Sequence, residues 1–150
     1  MTAVIGDASL RDLDRLYDIE TECFKEEAFT KAQIAELLRD YNSIGLVARV
    51  DGQIVGFVIG MIYVDGRVLQ GHICTIEVLS NFRRQGIGEK LLKEIEEIFR
   101  QKMVKAFALE VREDNVPAIE LYRKLGYDKI GRLKNYYGSA HGLYLGKTLA

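Results

Sequence analysis

The stretch "CTIEVLSNFRRQGIGEKLL", residues 74–92, joins an apolar strand-like run to the start of a long amphipathic helix. Its turn holds two arginines, Arg83 and Arg84, and two glycines, Gly86 and Gly88. The first N–H groups of a helix have no partner within the helix, and together with the helix dipole they attract anionic oxygens. Glycine lets a phosphate approach the backbone closely, and arginine adds charged donors. The turn therefore predicts a site for a diphosphate-sized anion, with an ordinary solvated turn as the alternative.

The rest of the chain alternates between strand and helix signals. Asp51-Gly52 joins two apolar runs and predicts a hairpin. Thr30 and Gln33 predict a capping box at the start of a helix. The predicted order is one strand, two helices, three strands, a helix, a strand, a helix and two strands, with helices over about 9–24, 30–40, 87–103 and 115–126. The sequence therefore predicts a mixed α/β (α+β) fold around one sheet.

The composition limits the classes of function. A chain of 150 residues fits one domain, residues 1–150. With 48% hydrophobic residues, 29% charged residues and a net charge of −1, it is neither disordered nor basic enough for a broad nucleic-acid surface. Its apolar runs are too short for a membrane span, and early acidic residues argue against a signal peptide. We expect a cytoplasmic protein, a monomer or weak dimer, without direct nucleic-acid or membrane contacts.

The two cysteines, Cys23 and Cys74, lie in unrelated segments without CxxC spacing. They predict two buried apolar thiols in a reducing compartment. Neither belongs to a recognised motif that pairs a nucleophilic cysteine with a histidine. The chain also has no metal-ligand spacing, so we expect no metal.

Two nucleotide-binding motifs are excluded. "GIGEKL" has Leu91 where the third glycine of a dinucleotide fingerprint would stand. "GLYLGKT", residues 142–148, is one residue too short for a Walker loop and has no room for the helix that follows one.

Three stretches resemble one enzyme family. "RRQGIG" directly after "ICTIEVL" resembles the acetyl-coenzyme A signature R/Q-x-x-G-x-G/A of the GNAT N-acetyltransferases, with Arg83, Gly86 and Gly88 at its fixed positions. "LEVREDNVPAIELYRKLGY", residues 109–127, resembles the later motif of the RimI/Ard-type branch, which acetylates protein N-termini, including ribosomal-protein alanine. "LKNYYG", residues 133–138, resembles the tyrosine-bearing hairpin that these enzymes place over the substrate.

The resemblance implies a fold and a cosubstrate. The fold is a mixed, mostly antiparallel sheet of six to seven strands, splayed in the middle and flanked by about four helices. Acetyl-CoA lies in the gap, where Ile76 and Val78 pair with its pantetheine arm and Asn115 and Tyr122 face its thioester end. The expected pyrophosphate contacts come from Arg83, Arg84, Gln85, Gly86, Ile87, Gly88 and Glu89.

Acetyl transfer to an amine needs a base and benefits from an acid. A free α-amine has a pKa near ~8, against ~10.4 for lysine, so an N-terminus loses its proton more easily. Glu110 is the first candidate base and His72 the second, while Tyr122 is the candidate acid. The alternatives are an ion-paired glutamate, a structural histidine and a core tyrosine. Because side chains alternate along a strand, we expect Glu77 on the opposite face from His72, towards solvent or a basic neighbour.

Two loops are expected to form the substrate cleft. Phe24 and Phe29 come from "CFKEEAFT", residues 23–30, and Tyr136 and Tyr137 come from the hairpin. Packing between helix and sheet is the alternative role for the phenylalanines. In the first loop the pair Glu26 and Glu27 either attracts a cationic amine or is simply solvated. Related loops often carry a proline where 25–28 runs and another where Gly138 sits.

The sequence therefore predicts an N-acetyltransferase that moves an acetyl group from acetyl-CoA to the α-amine of proteins or peptides. The expected route is direct transfer in a ternary complex, and a ribosomal protein is one candidate substrate. The alternatives are an acetyltransferase for lysine side chains, polyamines or another small amine, a non-catalytic acyl-CoA sensor, and a nucleotide-binding module.

Overall fold

The computed structural model describes residues 2–149. Within these residues, seven strands form one sheet: β1 Val4–Asp7, β2 Ser43–Val50, β3 Gln53–Asp65, β4 Val68–Val78, β5 Ala106–Arg112, β6 Asp128–Leu133 and β7 Gly142–Thr148. Their order across the sheet is β1-β2-β3-β4-β5-β7-β6. Neighbours pair antiparallel except β4 and β5, which are parallel. The predicted mixed, mostly antiparallel sheet is confirmed.

Four α-helices in the described residues flank the sheet: α1 Leu13–Cys23, α2 Lys31–Arg39, α3 Ile87–Gln101 and α4 Val116–Lys124. The predicted capping box of α2 is confirmed, since the Gln33 N–H donates to Thr30 Oγ1 at 3.1 Å and the Thr30 N–H donates to Gln33 Oε1 at 2.8 Å. The first helix begins later than predicted, because Leu10–Asp12 forms a separate 3₁₀ turn. None of the helices in residues 2–149 is both long and apolar enough to cross a membrane.

The sheet splays between β4 and β5. β4 pairs with β3 from Val68 to Val78, but it pairs with β5 only from Gln70↔Ala106 to Ile73↔Leu109. On β3, Ile59 and Gly60 are adjacent, yet their partners on β4 are Thr75 and Ile73, so Cys74 is an extra residue in a bulge. A bulge bends its strand and increases the local twist. The two strands therefore part at Cys74, and the predicted gap is confirmed.

The core has two layers, one on each face of the sheet. Helices α1 and α2 cover one face by packing Leu16, Ile19 and Ile34 against Phe57 of β3. Helix α3 covers the other face with its predicted apolar side, which includes Leu91, Leu92, Ile95 and Phe99. This second layer fixes the start of α3, and with it the glycine-rich turn, at the open end of the gap.

The contact of α3 with the sheet depends on small residues in β3. A Cβ added at Gly60 would lie 2.7 Å from Phe99 Cζ and 3.0 Å from Ile95 Cδ1. We expect Gly60→Ala to lower the free energy of unfolding by about 1–3 kcal/mol, because overpacking moves buried neighbours, as measured by urea unfolding. Gly131→Ala in β6 is the matched control, since nothing lies within 4 Å of its new Cβ. Equal losses in the two variants would contradict this account.

Candidate active site

The gap between β4 and β5 leads into a cavity of about 580 Å³. Residues from both sides of the gap, from the loop between α1 and α2 and from the loop between β6 and β7 line it. The predicted site residues among them are Phe24, Phe29, His72, Ile76, Glu110, Asn115, Tyr122, Tyr136 and Tyr137. The structure thus brings the candidate catalytic and substrate residues to one place.

The glycine-rich turn has the backbone of an anion site. Gly86, the N-cap of α3, has φ +79° and no side chain to cap the helix. Arg84 also lies in the left-handed region, at φ +62°, which is uncommon for a residue other than glycine. Alternating left-handed residues turn successive N–H groups towards a common point, and such concave backbones bind anions. A Cβ at Gly88 would make ordinary contacts with Leu121 at 3.6 Å and Val78 at 3.9 Å, whereas a Cβ at Gly86 would meet nothing within 4 Å, so the open space lies beside Gly86.

Two side chains of this turn have partners other than the predicted ligand. The Arg83 Nε donates to the Val78 carbonyl at 2.9 Å, and its Nη2 lies 3.6 Å from Cys23 Sγ. Arg83 therefore fastens the turn to β4 and α1, and its expected contact with the pyrophosphate stays a prediction. The Glu89 carboxylate lies 2.9 Å from Lys124 Nζ, which lowers the pKa of Glu89 and leaves its backbone N–H for an anion.

The edge of β4 beyond Ile73 faces the gap. The Leu79 N–H donates to the Val55 carbonyl of β3 at 2.8 Å. Because backbone groups alternate in direction along a strand, those of Val78 and Ile76 point away from β3 and into the gap. Arg83 occupies the Val78 carbonyl, which leaves its N–H facing the gap. This edge can pair with an extended ligand as a missing strand would.

His72 and Glu110 meet at the point where the strands part. His72 Nε2 lies 2.7 Å from Glu110 Oε1, and His72 Nδ1 lies 3.6 Å from Cys74 Sγ. The hydrogen bonds with Cys74 and then Glu110 raise the pKa of His72 to about 10, against the opposing effect of burial. The ring is therefore positively charged at neutral pH and cannot accept a further proton. Of the two candidate bases, the Glu110 carboxylate is therefore the one that can accept the proton of an amine.

The expectation of two buried apolar thiols is wrong. Both cysteines are free and partly exposed, and both have polar neighbours. Cys23 contacts Arg83 and the Val78 carbonyl, and Cys74 contacts His72. Since the bulge at Cys74 places that sulfur beside the imidazole, no spacing rule for a regular strand would reveal the contact.

Tyr122 and Asn115 lie on the α4 side of the cavity. The Tyr122 ring packs edge-on against Tyr127, with centroids 6.0 Å apart. Burial is the main cause that raises the pKa of Tyr122, so its hydroxyl stays protonated and can donate. Asn115 caps α4 by accepting from the Ala118 N–H at 3.3 Å, so its amide N–H groups remain as donors.

The expected position of Glu77 is also wrong. The bulge shifts the alternation by one residue, so Glu77, paired with Phe57, lies on the same face as His72, paired with Met61. Glu77 is 5% exposed, so it neither faces solvent nor has a basic partner. Burial, and then Glu20, raises the pKa of Glu77 well above its ordinary value. Burial therefore favours the protonated, neutral form of Glu77.

A buried polar cluster missed by sequence reasoning surrounds Glu77. Thr75 Oγ1 lies 2.8 Å from Glu77 Oε1 and 3.1 Å from Glu20 Oε1. One hydroxyl hydrogen can serve only one carboxylate, so the second contact needs a protonated partner, which agrees with a neutral Glu77. Glu20 Oε2 also accepts the Phe29 N–H at 3.1 Å and so holds the loop between α1 and α2. The sequence feature that could have revealed this cluster is Glu20, a carboxylate on the apolar side of the first helix.

Arg112 joins the two loops at the mouth of the cavity and was also missed. Its Nη1 lies 3.0 Å from Glu27 Oε1, and its guanidinium lies 5.9 Å from the centre of the Tyr137 ring. Glu27 is therefore ion-paired rather than free for a cationic substrate. Arg112 stands two residues after Glu110 on β5, so strand alternation already placed it on the face of the candidate base.

Comparison with known proteins agrees with this geometry. Residues 13–127 match the model of the acetyltransferase (GNAT) family. The chain is 34% identical to an N-alpha-acetyltransferase of Sulfurisphaera tokodaii, over 94% of this chain and 89% of that protein. It is 32% identical to a putative ribosomal protein bS18-alanine N-acetyltransferase of Bacillus subtilis, over 90% and 87% of the two chains. The crystal structure of Ard1 from Thermoplasma volcanium superposes with a TM-score of 0.91, at 29% identity and with 100% and 99% of the chains covered.

The chain belongs to the GNAT acetyltransferase family. The resemblance inferred from "RRQGIG" and the two later stretches is confirmed at the level of the family and of its N-terminal acetyltransferase branch.

The charge on His72 can be measured directly by nitrogen-detected NMR of the imidazole. We expect both ring nitrogens to stay protonated through neutral pH, and the proton to leave only as the pH approaches about 10. Because the pKa is raised from 6.5, the pair's contribution to stability is complete below pH 6.5 and is lost as the pH rises through about 10. Glu110→Gln removes one cause of the shift and should move the titration to lower pH. A wild-type ring that titrates near 6.5 would contradict this assignment.

Proposed function

We propose that residues 1–150 act as a single-domain N-acetyltransferase, which moves the acetyl group of acetyl-CoA to the α-amine of proteins or peptides. The observation that carries the proposal is the Glu110–His72 pair, 2.7 Å apart, at the point where β4 and β5 separate. An uncapped helix start lies at the other end of the same gap. The names of the Sulfurisphaera and Bacillus relatives support an N-terminal amine as the acceptor, with a ribosomal protein as a candidate.

The residues present fit acetyl-CoA, which would supply the activated acetyl group. We assign its pyrophosphate to the N–H groups of the turn from Arg84 to Glu89, where Gly86 leaves room for it. Its pantetheine arm would lie along the free edge of β4 at Ile76 and Val78. The acetyl end then reaches the cavity, within the region lined by Asn115 and Tyr122.

The protein's own groups perform the proton transfers. A neutral α-amine attacks the thioester carbonyl, and Glu110 takes the amine's proton directly or through a water molecule. Charged His72 holds this carboxylate in place and cannot compete with it for the proton. The Tyr122 hydroxyl donates to the departing sulfur. These groups suffice for direct transfer in a ternary complex.

The substrate end of the cavity is aromatic. Phe24 and Phe29 lie on one side of its mouth, and Tyr136 and Tyr137 on the other, with the two tyrosine rings 4.9 Å apart. We assign the first side chain of the substrate to the phenylalanine wall. Tyr136 is 54% exposed, so its hydroxyl can bond to a peptide backbone.

A panel of matched peptides tests the acceptor. Each peptide begins with alanine or another residue and carries one lysine, with its α-amine blocked, its lysine blocked, or neither. We expect mass spectrometry to find the acetyl group only on free α-amines, because these are neutral more often than lysine at the same pH. Acetyl on lysine alone would support the side-chain alternative. Binding of acetyl-CoA without transfer to any amine would support the sensor, and equal competition by ATP the nucleotide-binding module.

Two variants separate cosubstrate binding from chemistry, and each is the control for the other. Glu110→Gln should lower kcat by about 10²–10⁴-fold, the usual contribution of a general base, and leave the KM for acetyl-CoA nearly unchanged. Gly86→Ala should raise the KM for acetyl-CoA by about tenfold, or 1.4 kcal/mol, and spare kcat at saturation, because a side chain is strained at its φ of +79° and the N–H groups of the turn must shift. The added methyl group itself would meet nothing within 4 Å. If both variants changed only kcat, or both changed only the KM for acetyl-CoA, the assignment of separate residues to chemistry and to cosubstrate binding would be wrong.

A further inference from the structure

Cys74 is a nucleophilic group in the cavity for which acetyl transfer to an amine has no use. Its Sγ lies 3.6 Å from His72 Nδ1, and the other nitrogen of the same ring lies 2.7 Å from Glu110 Oε1. A thiol on one imidazole nitrogen and a carboxylate on the other is the arrangement that activates a cysteine for acyl transfer. Cys74 also lines the cavity and is the bulged residue at which β4 leaves β5.

We propose that Cys74 is a second acyl acceptor: when acetyl-CoA is bound and no amine is present, its sulfur takes the acetyl group and becomes S-acetylcysteine. This inference rests on the proposed function, because it needs the acetyl end of acetyl-CoA to reach the point where the strands part.

The step is an exchange of one thioester for another. In this step Cys74 reacts as a thiolate paired with the charged His72 ring, whose Nδ1 already carries the proton, and its sulfur attacks the carbonyl carbon of the acetyl group. A new bond forms between that carbon and Cys74 Sγ, while the bond to the sulfur of coenzyme A breaks. His72 gives its Nδ1 proton to the departing sulfur and becomes neutral. Atoms and charge balance without an oxidant or a further reactant, and Glu110 compensates the charge of the ring until that transfer.

The second cysteine shows what sets Cys74 apart. Cys23 Sγ lies 3.6 Å from the Val78 carbonyl and 3.6 Å from Arg83 Nη2, without a histidine beside it. Burial raises the pKa of the Cys23 thiol, which keeps it protonated and a poor nucleophile. The two thiols thus form an internal comparison in one chain. For Cys74 a purely structural role also has a geometric basis, since its Sγ lies 3.8 Å from the His72 carbonyl oxygen.

The test is to incubate the full chain with acetyl-CoA alone, and then to locate any acetyl group by intact-mass measurement and peptide mapping. We expect one acetyl group on Cys74, removable by hydroxylamine as a thioester is. The matched control Cys23→Ala should still acquire it, and Cys74→Ser should not form the thioester. His72→Gln should slow its formation by about 10²-fold, because the Cys74 thiolate loses its charged partner and the departing sulfur loses its proton donor. Wild-type mapping decides the question even if a variant folds poorly.

The same protein is assayed in parallel with a peptide that has a free α-amine. Acetylation of the peptide, with Cys74 unmodified when acetyl-CoA is given alone, overturns this inference and leaves the proposed function standing. Failure of both reactions overturns both. An acetyl group on Cys23 or on lysines instead of Cys74 also overturns the inference, because it shows uptake without the His72 contact.

Discussion

The whole site depends on β4 keeping β3 as a partner along its full length while losing β5 after Ile73. The extra residue at Cys74 bends the strand, and beyond it the backbone groups of Ile76 and Val78 face a gap rather than a neighbour. Unpaired backbone polar groups are costly when they are removed from water, so this edge needs either solvent or a ligand that bonds as a strand does. The open edge of the sheet therefore supplies backbone donors and acceptors with which an extended, amide-bearing ligand can pair.

Three acidic groups near this bend, Glu110, Glu77 and Tyr122, have surroundings that differ in burial and in charged neighbours. Glu110 faces a charged imidazole, whereas Glu77 lies beside Glu20, where burial favours its protonated form. Burial also keeps Tyr122 protonated. Environments that separate the proton affinities of neighbouring groups allow one of them to accept a proton while another donates. In the proposed reaction the proton acceptor, Glu110, lies on β5 and the proton donor, Tyr122, lies on α4.

Local signals in the sequence predicted most of the fold. The Asp51-Gly52 turn and the Thr30–Gln33 box each depend on residues within a few positions, and each is confirmed. The contacts that the sequence did not predict join distant segments, such as Glu20 with Thr75 and Arg112 with Glu27. The faces of His72 and Glu77 were misassigned because one bulged residue inverts strand alternation, and a bulge leaves no compositional mark. The placement of acetyl-CoA and the catalytic roles remain predictions.

The ion pairs at the mouth of the cavity bear on how an α-amine would be selected. Arg112 neutralises Glu27, so the acidic loop offers less attraction for a cation than its sequence suggests. Charge attraction would in any case favour lysine and an N-terminus alike, since both arrive as ammonium groups. The difference lies in deprotonation: pKa values of about 8 and about 10.4 give the α-amine an advantage of about 3 kcal/mol. A single carboxylate at Glu110, held in place by a cation that cannot share the proton, makes that difference decisive, because no stronger base is provided for lysine.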